Sequence, residues 1–410
     1  MPRPIVIVGA GQAAASFVSR HVALGNRESL LLVGDEPLPP YQRPPLSKKY
    51  LLGQLERERL FIRPEQWYVD QGVETRFGTR VTAIQRAQQS IVTDNGETLA
   101  YDRLVLCTGS RARELPDATG GALEGVFTLR DMADIDRIAP AFRAGRKLLV
   151  VGGGYIGLEA AAVARQLGKE VVLLEMADRI LQRVAAEQTS DFFRRLHIRE
   201  GVELRESTRL LRLVGEGGRA VGAELEGGEM IEADLVLVGI GGLPNSELAE
   251  AAGLECENGI AVSDTCQTSD PLIYAAGDCC SFPRGGTRIR LESVQNASDQ
   301  GDLIARVIAG QAVSYTALPW FWSDQYDCKF QIAGLNRGFT HTAMRAGEKG
   351  DSQSVWYYRD ETLLAVDAMN DPKAYVFGRK IIEAGINPPA EVIADPKTDL
   401  KVLARGGSAR

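Results

Sequence analysis

The fold is decided by residues 4–14, PIVIVGAGQAA, and by the elements after them along the chain. Pro4 to Val8 is rich in β-branched residues and predicts a strand, and the glycine turn after it leads into a predicted helix from Ala13 to Leu24. Ser29 to Val33 predicts a second strand, which ends at Gly34-Asp35-Glu36. This order of strand, glycine turn, helix and strand predicts a βαβ unit with parallel strands.

The same order of elements returns in the middle of the chain. Residues 147–151, KLLVV, predict a strand, and residues 152–157, GGGYIG, repeat the glycine turn 143 positions after Gly9. Leu158 to Leu167 predicts a helix, and Glu170 to Leu174 predicts a strand that ends at Glu175. Alternating strands and helices of this kind favour an α/β fold, in which helices cover parallel sheets.

Both turns match what a dinucleotide requires. Its pyrophosphate needs backbone N–H groups at a helix N-terminus, and a side chain within the turn would block its approach. The small residues that meet this need are Gly9, Gly11 and Ala14 in the first turn and Gly152, Gly154 and Gly157 in the second. A carboxylate for the ribose follows each turn, Asp35 in one case and Glu175 in the other. Two such sites predict two dinucleotides, typically a flavin and a nicotinamide.

Composition restricts the class of protein. The 410 residues suffice for two or three domains of roughly 150 residues each, and 44% hydrophobic with 25% charged residues is typical of a globular chain. A net charge of −7 disfavours binding to nucleic acid or to a membrane surface through overall positive charge. The six cysteines form no C-x-x-C pair, which disfavours a bound metal, an iron–sulfur cluster or a redox disulfide. We therefore expect buried thiols in a reducing cytoplasm and no membrane span.

The last quarter of the chain has a different pattern. Phe330 to Leu335, Ser354 to Tyr358 and Thr362 to Met369 predict short strands. Asp371-Pro372 predicts an N-cap followed by proline at the first helical position, and Gly385 could end that helix. We expect a small α+β domain here.

Three further strands end in residues suited to a cofactor. Leu104 to Leu106 leads into Thr108-Gly109, and Leu235 leads to its counterpart Ile240-Gly241. Ile273 to Ala276 ends in Gly277-Asp278, where the glycine allows close backbone approach and the carboxylate can accept a hydrogen bond from a ribitol hydroxyl.

Taken together, these motifs resemble one known family. In addition to the turns, residues 43–48 (RPPLSK), 152–159 (GGGYIGLE) and 319–325 (PWFWSDQ) recur in this order in the bacterial FAD-dependent, NADH-oxidising ferredoxin reductases, a family that includes putidaredoxin reductase. Its members serve haem-thiolate monooxygenases and aromatic-ring dioxygenases. The resemblance implies a glutathione-reductase-like fold with two Rossmann-like domains. It implies an FAD-binding domain from residues 1–112 and 244–318, an NADH-binding domain from 113–243, and a C-terminal α+β domain from 319–410 behind the flavin.

The resemblance also implies site residues. The residues expected to line FAD are Ala13, Asp35, Arg43, Lys48, Val81, Arg130, Asp278 and Val294. The other residues of the first turn, and Thr108, Gly109 and Gly277 at the two strand ends, are expected to bind FAD as well. Lys48 is expected near flavin N5, Glu292 near the flavin–nicotinamide contact, and Trp320 beside the isoalloxazine. The residues expected to bind NADH are the glycines of the second turn together with Tyr155, Ile156, Glu159, Glu175, Arg183, Ile240 and Gly241. Lys48, Glu159, Glu292 and Trp320 are the expected catalytic residues.

The partner implied by the resemblance is a small [2Fe–2S] ferredoxin that docks transiently on a monomer or weak dimer. Because ferredoxins are usually acidic, a local basic patch is expected, with candidates Arg306, Lys373, Arg379, Lys380 and Lys397. The alternatives are an NADH oxidase, a rubredoxin reductase, or an NADH-sensing flavin-binding protein similar to apoptosis-inducing factor. No cysteine lies between the first glycine turn and Cys107, which disfavours the oxidase. We interpret the vicinal pair Cys279-Cys280 as structural.

Overall fold

The computed structural model describes residues 3–406. The α-helices in this range are α1 Gln12–Ala23, α2 Glu65–Asp70, α3 Met132–Ala144, α4 Tyr155–Gln166, α5 Glu187–Arg199, α6 Glu247–Ala251, α7 Val294–Ile308, α8 Pro372–Glu383, α9 Ala390–Ala394 and α10 Leu400–Leu403. Short 3-10 or π-helical turns are Leu46–Tyr50, Arg57–Leu60, Arg86–Gln88 and Asp117–Thr119.

The strands of the first half of the chain are β1 Ile5–Val8, β2 Leu30–Gly34, β3 Glu74–Phe77, β4 Val81–Gln85, β5 Ser90–Thr93, β6 Thr98–Ala100, β7 Arg103–Leu106, β8 Ser110–Ala112, β9 Val126–Phe127, β10 Lys147–Val151, β11 Glu170–Leu174 and β12 Val202–Arg205. Those of the second half are β13 Leu210–Glu216, β14 Arg219–Leu225, β15 Met230–Glu232, β16 Leu235–Val238, β17 Gly242–Pro244, β18 Ile260–Ala261, β19 Ile273–Ala275, β20 Cys280–Arg284, β21 Thr287–Ile289, β22 Trp320–Gln325, β23 Cys328–Gly334, β24 His341–Ala346, β25 Gln353–Arg359 and β26 Thr362–Met369.

The described chain divides into two compact units. The first unit contains residues 3–45, 55–111 and 242–317, and the second contains residues 46–54, 112–241 and 318–406. The three-domain boundaries expected from the sequence stay a prediction, and their outer ends, residues 1 and 410, lie outside the described residues.

The first unit is built on a parallel sheet of order β19-β7-β1-β2-β3. Ile7 on β1 pairs with Leu32 on one side and Val105 on the other, and all three side chains are fully buried. Helices α1 and α7 pack closely on each other, because a side chain at Gly301 would lie only 2.3 Å from the Ala13 carbonyl oxygen. The predicted βαβ unit is confirmed, with each boundary within one residue of its predicted position.

The second unit contains a parallel sheet and a separate antiparallel one. The parallel sheet has the order β12-β11-β10-β16-β9, and the antiparallel sheet has the order β22-β23-β26-β25-β24. Asp371 caps α8 as predicted, since its carboxylate accepts the Ala374 N–H at 3.0 Å with Pro372 in the first turn. The α/β class with a C-terminal α+β region is therefore confirmed.

Two details differ from the sequence prediction. Helix α4 begins at Tyr155 rather than Leu158, because Gly157 lies inside its first turn instead of before it. The edge strands β22 and β24 are also absent from the sequence prediction, and at β22 the aromatic run from Trp320 lacks the alternation of a half-buried strand.

A buried arginine holds the end of the second unit together. Arg345 on β24 is 8% exposed, and its guanidinium donates to four backbone carbonyls, those of Ile393, Asp395, Pro396 and Thr398. These carbonyls lie between the last turn of α9 and the start of α10, where no helical N–H reaches them.

We expect Arg345→Met to lower the free energy of unfolding by about 2–3 kcal/mol, because the hydrogen bonds of a buried guanidinium, one of them to the buried residue Ile393, are lost. Chemical denaturation of wild type and variant measures this. The matched control is Arg359→Met, since Arg359 also donates to backbone carbonyls but is exposed, so that water can replace it. Equal losses in the two variants would contradict the role given to burial.

Candidate functional site

The first glycine turn leaves a helix end open. A side chain at Gly9, where φ is +101°, would lie 2.2 Å from the Cys107 carbonyl oxygen, so only glycine fits between β1 and β7. Gly11 is the N-cap of α1 and no side chain caps this helix. A Cβ at Gly11 would meet no atom within 4 Å. The first N–H groups of α1 therefore have no side-chain cap, which is the arrangement that suits a bound phosphate.

Other predicted FAD residues of the first unit surround this turn. Gly277 packs against α1, because a Cβ there would lie 3.4 Å from that of Ala13, and Asp278 accepts the Ser110 hydroxyl at 3.0 Å. Thr108 is fixed by Asn245, whose side-chain amide donates to the Thr108 carbonyl at 2.8 Å. The role of Asn245 is not visible in the sequence, because the residue that it clamps lies 137 positions away.

The acids after β2 have different surroundings. Asp35 is exposed, and its carboxylate lies 3.6 Å from the Arg80 guanidinium. The next residue, Glu36, accepts the Tyr41 hydroxyl at 2.5 Å and the Arg43 guanidinium at 2.6 Å. Arg43, predicted to bind FAD, is thus anchored by Glu36, a partner that no sequence motif indicated.

The remaining predicted residues of the first unit lie on separate elements. Val81 begins β4, in a small antiparallel sheet, and Val294 begins α7. Glu292 is exposed and accepts the Arg290 guanidinium at 2.5 Å.

The second glycine turn repeats the geometry of the first. A Cβ at Gly152, where φ is +108°, would lie 2.5 Å from the Gly239 carbonyl oxygen, and one at Gly157 would lie 2.0 Å from the Gly152 carbonyl oxygen. Gly154 caps α4 without a side chain, and a Cβ there would meet no atom within 4 Å. Here too the first N–H groups of a helix have no side-chain cap.

Glu175, Arg183 and Gly241 lie around this second turn. One carboxylate oxygen of Glu175 accepts the Gly153 N–H at 2.7 Å, and the other accepts the Ala177 N–H at 2.8 Å. Arg183 is exposed, and a Cβ at Gly241 would lie 3.7 Å from its guanidinium. Ile240 packs beside Gly152, with its Cγ2 3.4 Å from a Cβ at that position. The predicted NADH residues of this region are therefore neighbours.

A buried ion pair joins Lys48 to Glu159 in the second unit. Glu159 is 6% exposed, and one of its carboxylate oxygens accepts Lys48 Nζ at 2.7 Å and Ser47 Oγ at 3.0 Å. The other oxygen accepts Ser323 Oγ at 2.7 Å. A carboxylate is stable in a buried position when it is paired and fully hydrogen-bonded in this way.

The hydrogen bonds continue behind Ser323. The Gln325 amide donates to Ser323 Oγ at 3.2 Å, and its carbonyl lies 2.8 Å from His197 Nε2. His197 Nδ1 lies 3.3 Å from the Tyr326 hydroxyl. Ser323 and Gln325 stand inside the 319–325 motif, whereas His197 is one of three histidines scattered along the chain and belongs to no motif.

Aromatic rings line the start of α4. The Tyr155 ring lies 4.8 Å from Phe321 and 6.1 Å from Phe330, centroid to centroid, and burial raises the pKa of Tyr155 well above its usual value. The Trp320 ring lies 5.5 Å from the Trp322 ring, centroid to centroid, at an interplanar angle of 30°. Ile156 is 45% exposed beside Tyr155.

Arg130, predicted to bind FAD, precedes the capping box of α3, where its backbone N–H donates to the Asp134 carboxylate at 2.8 Å.

Within residues 3–406, no cluster of His, Cys, Asp or Glu side chains is arranged to hold a metal ion. In the same range, no helix is both long and apolar enough to cross a membrane.

Family models match both parts of the chain. Residues 3–301 match the model described as pyridine nucleotide-disulphide oxidoreductase, and residues 320–404 match the model described as reductase C-terminal. The chain therefore belongs to the pyridine nucleotide-disulphide oxidoreductase family, as an oxidoreductase whose cofactors are FAD and NAD(H).

Individual proteins are similar over almost the whole chain. A ferredoxin–NAD(P)(+) reductase from Sphingomonas sp is 41% identical, covering 97% of this chain and 96% of that protein. Putidaredoxin reductase from Pseudomonas putida is 38% identical, covering 99% of this chain and 97% of that protein. The solved structure of a covalent putidaredoxin reductase–putidaredoxin complex matches with a TM-score of 0.95 at 38% identity, covering 100% of this chain and 99% of that one. The resemblance found in the sequence is thus confirmed.

We expect His197 to make the folded protein sensitive to acid. Burial lowers the pKa of His197 to about 4, against the opposing effect of its hydrogen bond with Gln325. Below about pH 6.5 the histidine is protonated in the unfolded chain but stays neutral in the folded chain. The free energy of unfolding therefore decreases as the pH falls towards 4. In His197→Gln this proton-linked loss, about 2–3 kcal/mol between pH 7 and 4.5, should disappear.

Urea unfolding at the two pH values measures the effect. The control is His341→Gln, because His341 is exposed on β24 and its removal should leave the wild-type pH dependence unchanged. A His197→Gln variant with the wild-type pH dependence would contradict the assignment.

Proposed function

We propose that this enzyme passes electrons from NADH to a small [2Fe–2S] ferredoxin that serves an oxygenase. The observation that carries the proposal is the full-length likeness to a reductase solved in complex with its redox partner. The ferredoxin–NAD(P)(+) reductase named above supports the same acceptor. The overall reaction converts one NADH and two oxidised ferredoxins into NAD⁺, one proton and two reduced ferredoxins. When bound, FAD accepts hydride from NADH and returns the electrons singly.

We assign FAD to the first glycine turn. The N–H groups at the start of α1 would hold its pyrophosphate. This assignment is supported by the open space around a Cβ position at Gly11. Asp35, exposed at the end of β2, would accept the adenosine ribose hydroxyls, and Asp278, held by Ser110, would accept a ribitol hydroxyl. The other FAD residues named from the sequence stay predictions.

We assign NADH to the second glycine turn. Each oxygen of Glu175 accepts one backbone N–H, which leaves each a further lone pair for a ribose hydroxyl. Arg183, beside Gly241, would bind the adenine or the pyrophosphate.

Glu159 would orient the Lys48 ammonium, because its carboxylate is fixed by Ser47 and Ser323. An oriented ammonium stabilises negative charge at the position where hydride arrives.

The cysteines argue against thiol chemistry at the flavin. All six cysteines lie in the described residues and carry free thiols. Cys107, which precedes Thr108, and the pair Cys279 and Cys280 are buried, and burial raises the pKa of all three. Because the thiolate is the nucleophile, these residues are unsuited to reduce a disulfide or a peroxide. Free thiols also support a reducing cytoplasm as the proposed setting.

An acceptor panel tests the proposed function. Protein reduced anaerobically with NADH in a stopped-flow instrument is mixed with a [2Fe–2S] ferredoxin, a rubredoxin or oxygen. We expect the ferredoxin to oxidise it fastest. Faster oxidation by rubredoxin or by oxygen would favour a rubredoxin reductase or an NADH oxidase, and slow oxidation by every acceptor would favour an NADH-sensing binding protein.

We expect a preference for NADH over NADPH of at least about tenfold, because Glu175 would meet the 2′-phosphate. Two unit charges 4 Å apart cost about 4 kcal/mol at an effective dielectric of roughly 20, and a third of that is close to tenfold. Measuring kcat/KM with both nucleotides in wild type and Glu175→Gln tests this, because glutamine keeps the shape and removes the charge. Equal use of both nucleotides by wild type, or an unchanged ratio in the variant, would remove Glu175 from the site.

Docking of the ferredoxin is proposed to be transient and electrostatic, on a monomer or weak dimer. Of the basic candidates, Lys373 pairs with Glu348 at 2.6 Å and Arg379 with Glu383 at 2.8 Å, which reduces their net field. This favours Lys380, Lys397 and Arg306, whose guanidinium donates to the neutral Gln311 side chain, as the steering charges.

The rate constant for ferredoxin reduction should fall with increasing ionic strength, while hydride transfer from NADH stays nearly constant. Lys380→Gln should reduce this salt dependence, and Lys373→Gln, the matched control, should change it less. A salt-independent second step would contradict electrostatic docking.

A further inference from the structure

A buried carboxyl group lies in the second unit, on a strand of the antiparallel sheet. Asp367 on β26 is fully buried, and one of its carboxyl oxygens accepts the Thr189 hydroxyl at 2.8 Å and the Tyr357 hydroxyl through a short hydrogen bond. The other oxygen, Oδ1, has no hydrogen-bond partner among the described residues. An unsatisfied polar atom of this kind in a buried position calls for an explanation.

The groups around Asp367 are mostly uncharged. Its neighbours on the adjoining strands are Ile332 and Val355, and α5 contributes Thr189. The ionisable groups that face it include Tyr357 on β25 and Tyr155 at the start of α4, and burial raises the pKa of both phenols. Both neighbours therefore stay neutral at ordinary pH and do not compensate a negative charge.

The Tyr357 hydroxyl connects Asp367 to the segment that carries Arg183. We define residues 180–186 as the arginine segment. Its last residue, Ala186, donates its N–H to the Tyr357 hydroxyl at 3.0 Å, and the Asn336 side chain donates to the Val184 carbonyl at 2.8 Å. At its other end, the Leu181 N–H donates to the Gly153 carbonyl at 3.0 Å, within the second glycine turn.

The backbone of the arginine segment depends on these contacts. Leu181 has φ of +55°, a left-handed conformation that a leucine adopts only when its surroundings impose it. The glycine turn fixes one end of the segment, and the Tyr357–Asp367 pair fixes the other. Arg183 is exposed between these two anchors.

We propose that Asp367 is a positioning residue that acts through the Tyr357 hydroxyl to hold Arg183 in place for the dinucleotide, and that the loss of its proton weakens NADH binding. The inference rests on the proposed function, in which Arg183 binds NADH.

The direction of the effect is set by burial. Burial raises the pKa of Asp367 to about 7, against the opposing effect of its hydrogen bonds from Tyr357 and Thr189. In the neutral carboxyl group, the unpartnered atom costs less than in the carboxylate, where it is part of an unpaired charge in a buried position. The ionised carboxylate therefore needs a further hydrogen-bond donor. Either the backbone from Ala186 to Thr189 moves to supply that donor, or a water molecule enters.

Binding of NAD⁺ to the FAD-loaded protein, measured by calorimetry from pH 5.5 to 8.5, tests the inference without turnover. We expect the wild-type dissociation constant to rise several-fold between pH 6 and 8, and Asp367→Asn to keep its pH 6 value throughout. In steady-state kinetics, KM for NADH should change with pH while kcat does not. Equal pH dependence of NAD⁺ binding in wild type and Asp367→Asn would overturn the inference.

Two tyrosine variants test the connecting hydroxyl. Tyr357→Phe removes the bridge to Ala186 and should weaken NAD⁺ binding at every pH. Tyr358→Phe is the matched control, because that buried hydroxyl donates instead to the Pro388 carbonyl at 2.9 Å and should leave NAD⁺ binding unchanged. If Asp367→Asn fails to fold, wild-type affinity in Tyr357→Phe overturns the inference.

Arg183→Ala distinguishes this inference from the proposed function. Unchanged NAD⁺ affinity in Arg183→Ala removes Arg183 from the NADH site, and the inference falls with that assignment. Weaker binding in Arg183→Ala, together with equal pH dependence in wild type and Asp367→Asn, overturns the inference alone.

Discussion

The constraint on which the rest of the structure depends is the unsatisfied start of two helices. The first N–H groups of any helix lack an internal partner, and most helices satisfy one of them with a polar side chain at the N-cap. At α1 and α4 the N-cap is glycine and no side chain substitutes for it. Gly9 and Gly152 bring each turn close to a neighbouring strand, where only a residue without Cβ fits. The fold thus leaves two helix N-termini without a side-chain cap at the carboxyl ends of two parallel sheets, where we propose that the two dinucleotides bind.

The second unit adds two buried acids whose surroundings differ. Glu159 has a lysine and two hydroxyl groups as partners, so its negative charge is compensated. Asp367 has only hydroxyl donors on one oxygen, and burial favours its proton. One buried carboxyl group thus has a cation beside it, and the other has only neutral donors. In the functions proposed above, Glu159 orients Lys48, and Asp367 acts through Tyr357 on the arginine segment.

Local patterns were sufficient to predict much of the fold. The predicted strands Lys147–Val151, Glu170–Leu174 and Thr362–Met369 are confirmed with the same boundaries, because each is an apolar run ended by a charged or turn-forming residue. The cap at Asp371 is predictable from a local rule as well. The contacts of Glu159 could not be predicted in this way, since Ser47 and Ser323 lie 112 and 164 residues from it. The burial and hydrogen bonds of Asp367 could not be predicted from the sequence either, because its partners Thr189 and Tyr357 come from different elements of the chain.

The central claim is that the first turn binds FAD and the second binds NADH, and substitutions at the two open N-caps test it most directly. Gly11 and Gly154 have φ of −112° and −82°, and a Cβ at either meets no atom within 4 Å, so an aspartate fits both positions and caps the helix itself. Its carboxylate would occupy the N–H groups and repel a pyrophosphate. The measurement is the number of FAD and NAD⁺ molecules bound per chain in the two variants. We expect Gly154→Asp to keep FAD and lose NAD⁺, and Gly11→Asp to lose FAD. Wild-type NAD⁺ binding in Gly154→Asp, or full FAD content in Gly11→Asp, would contradict it.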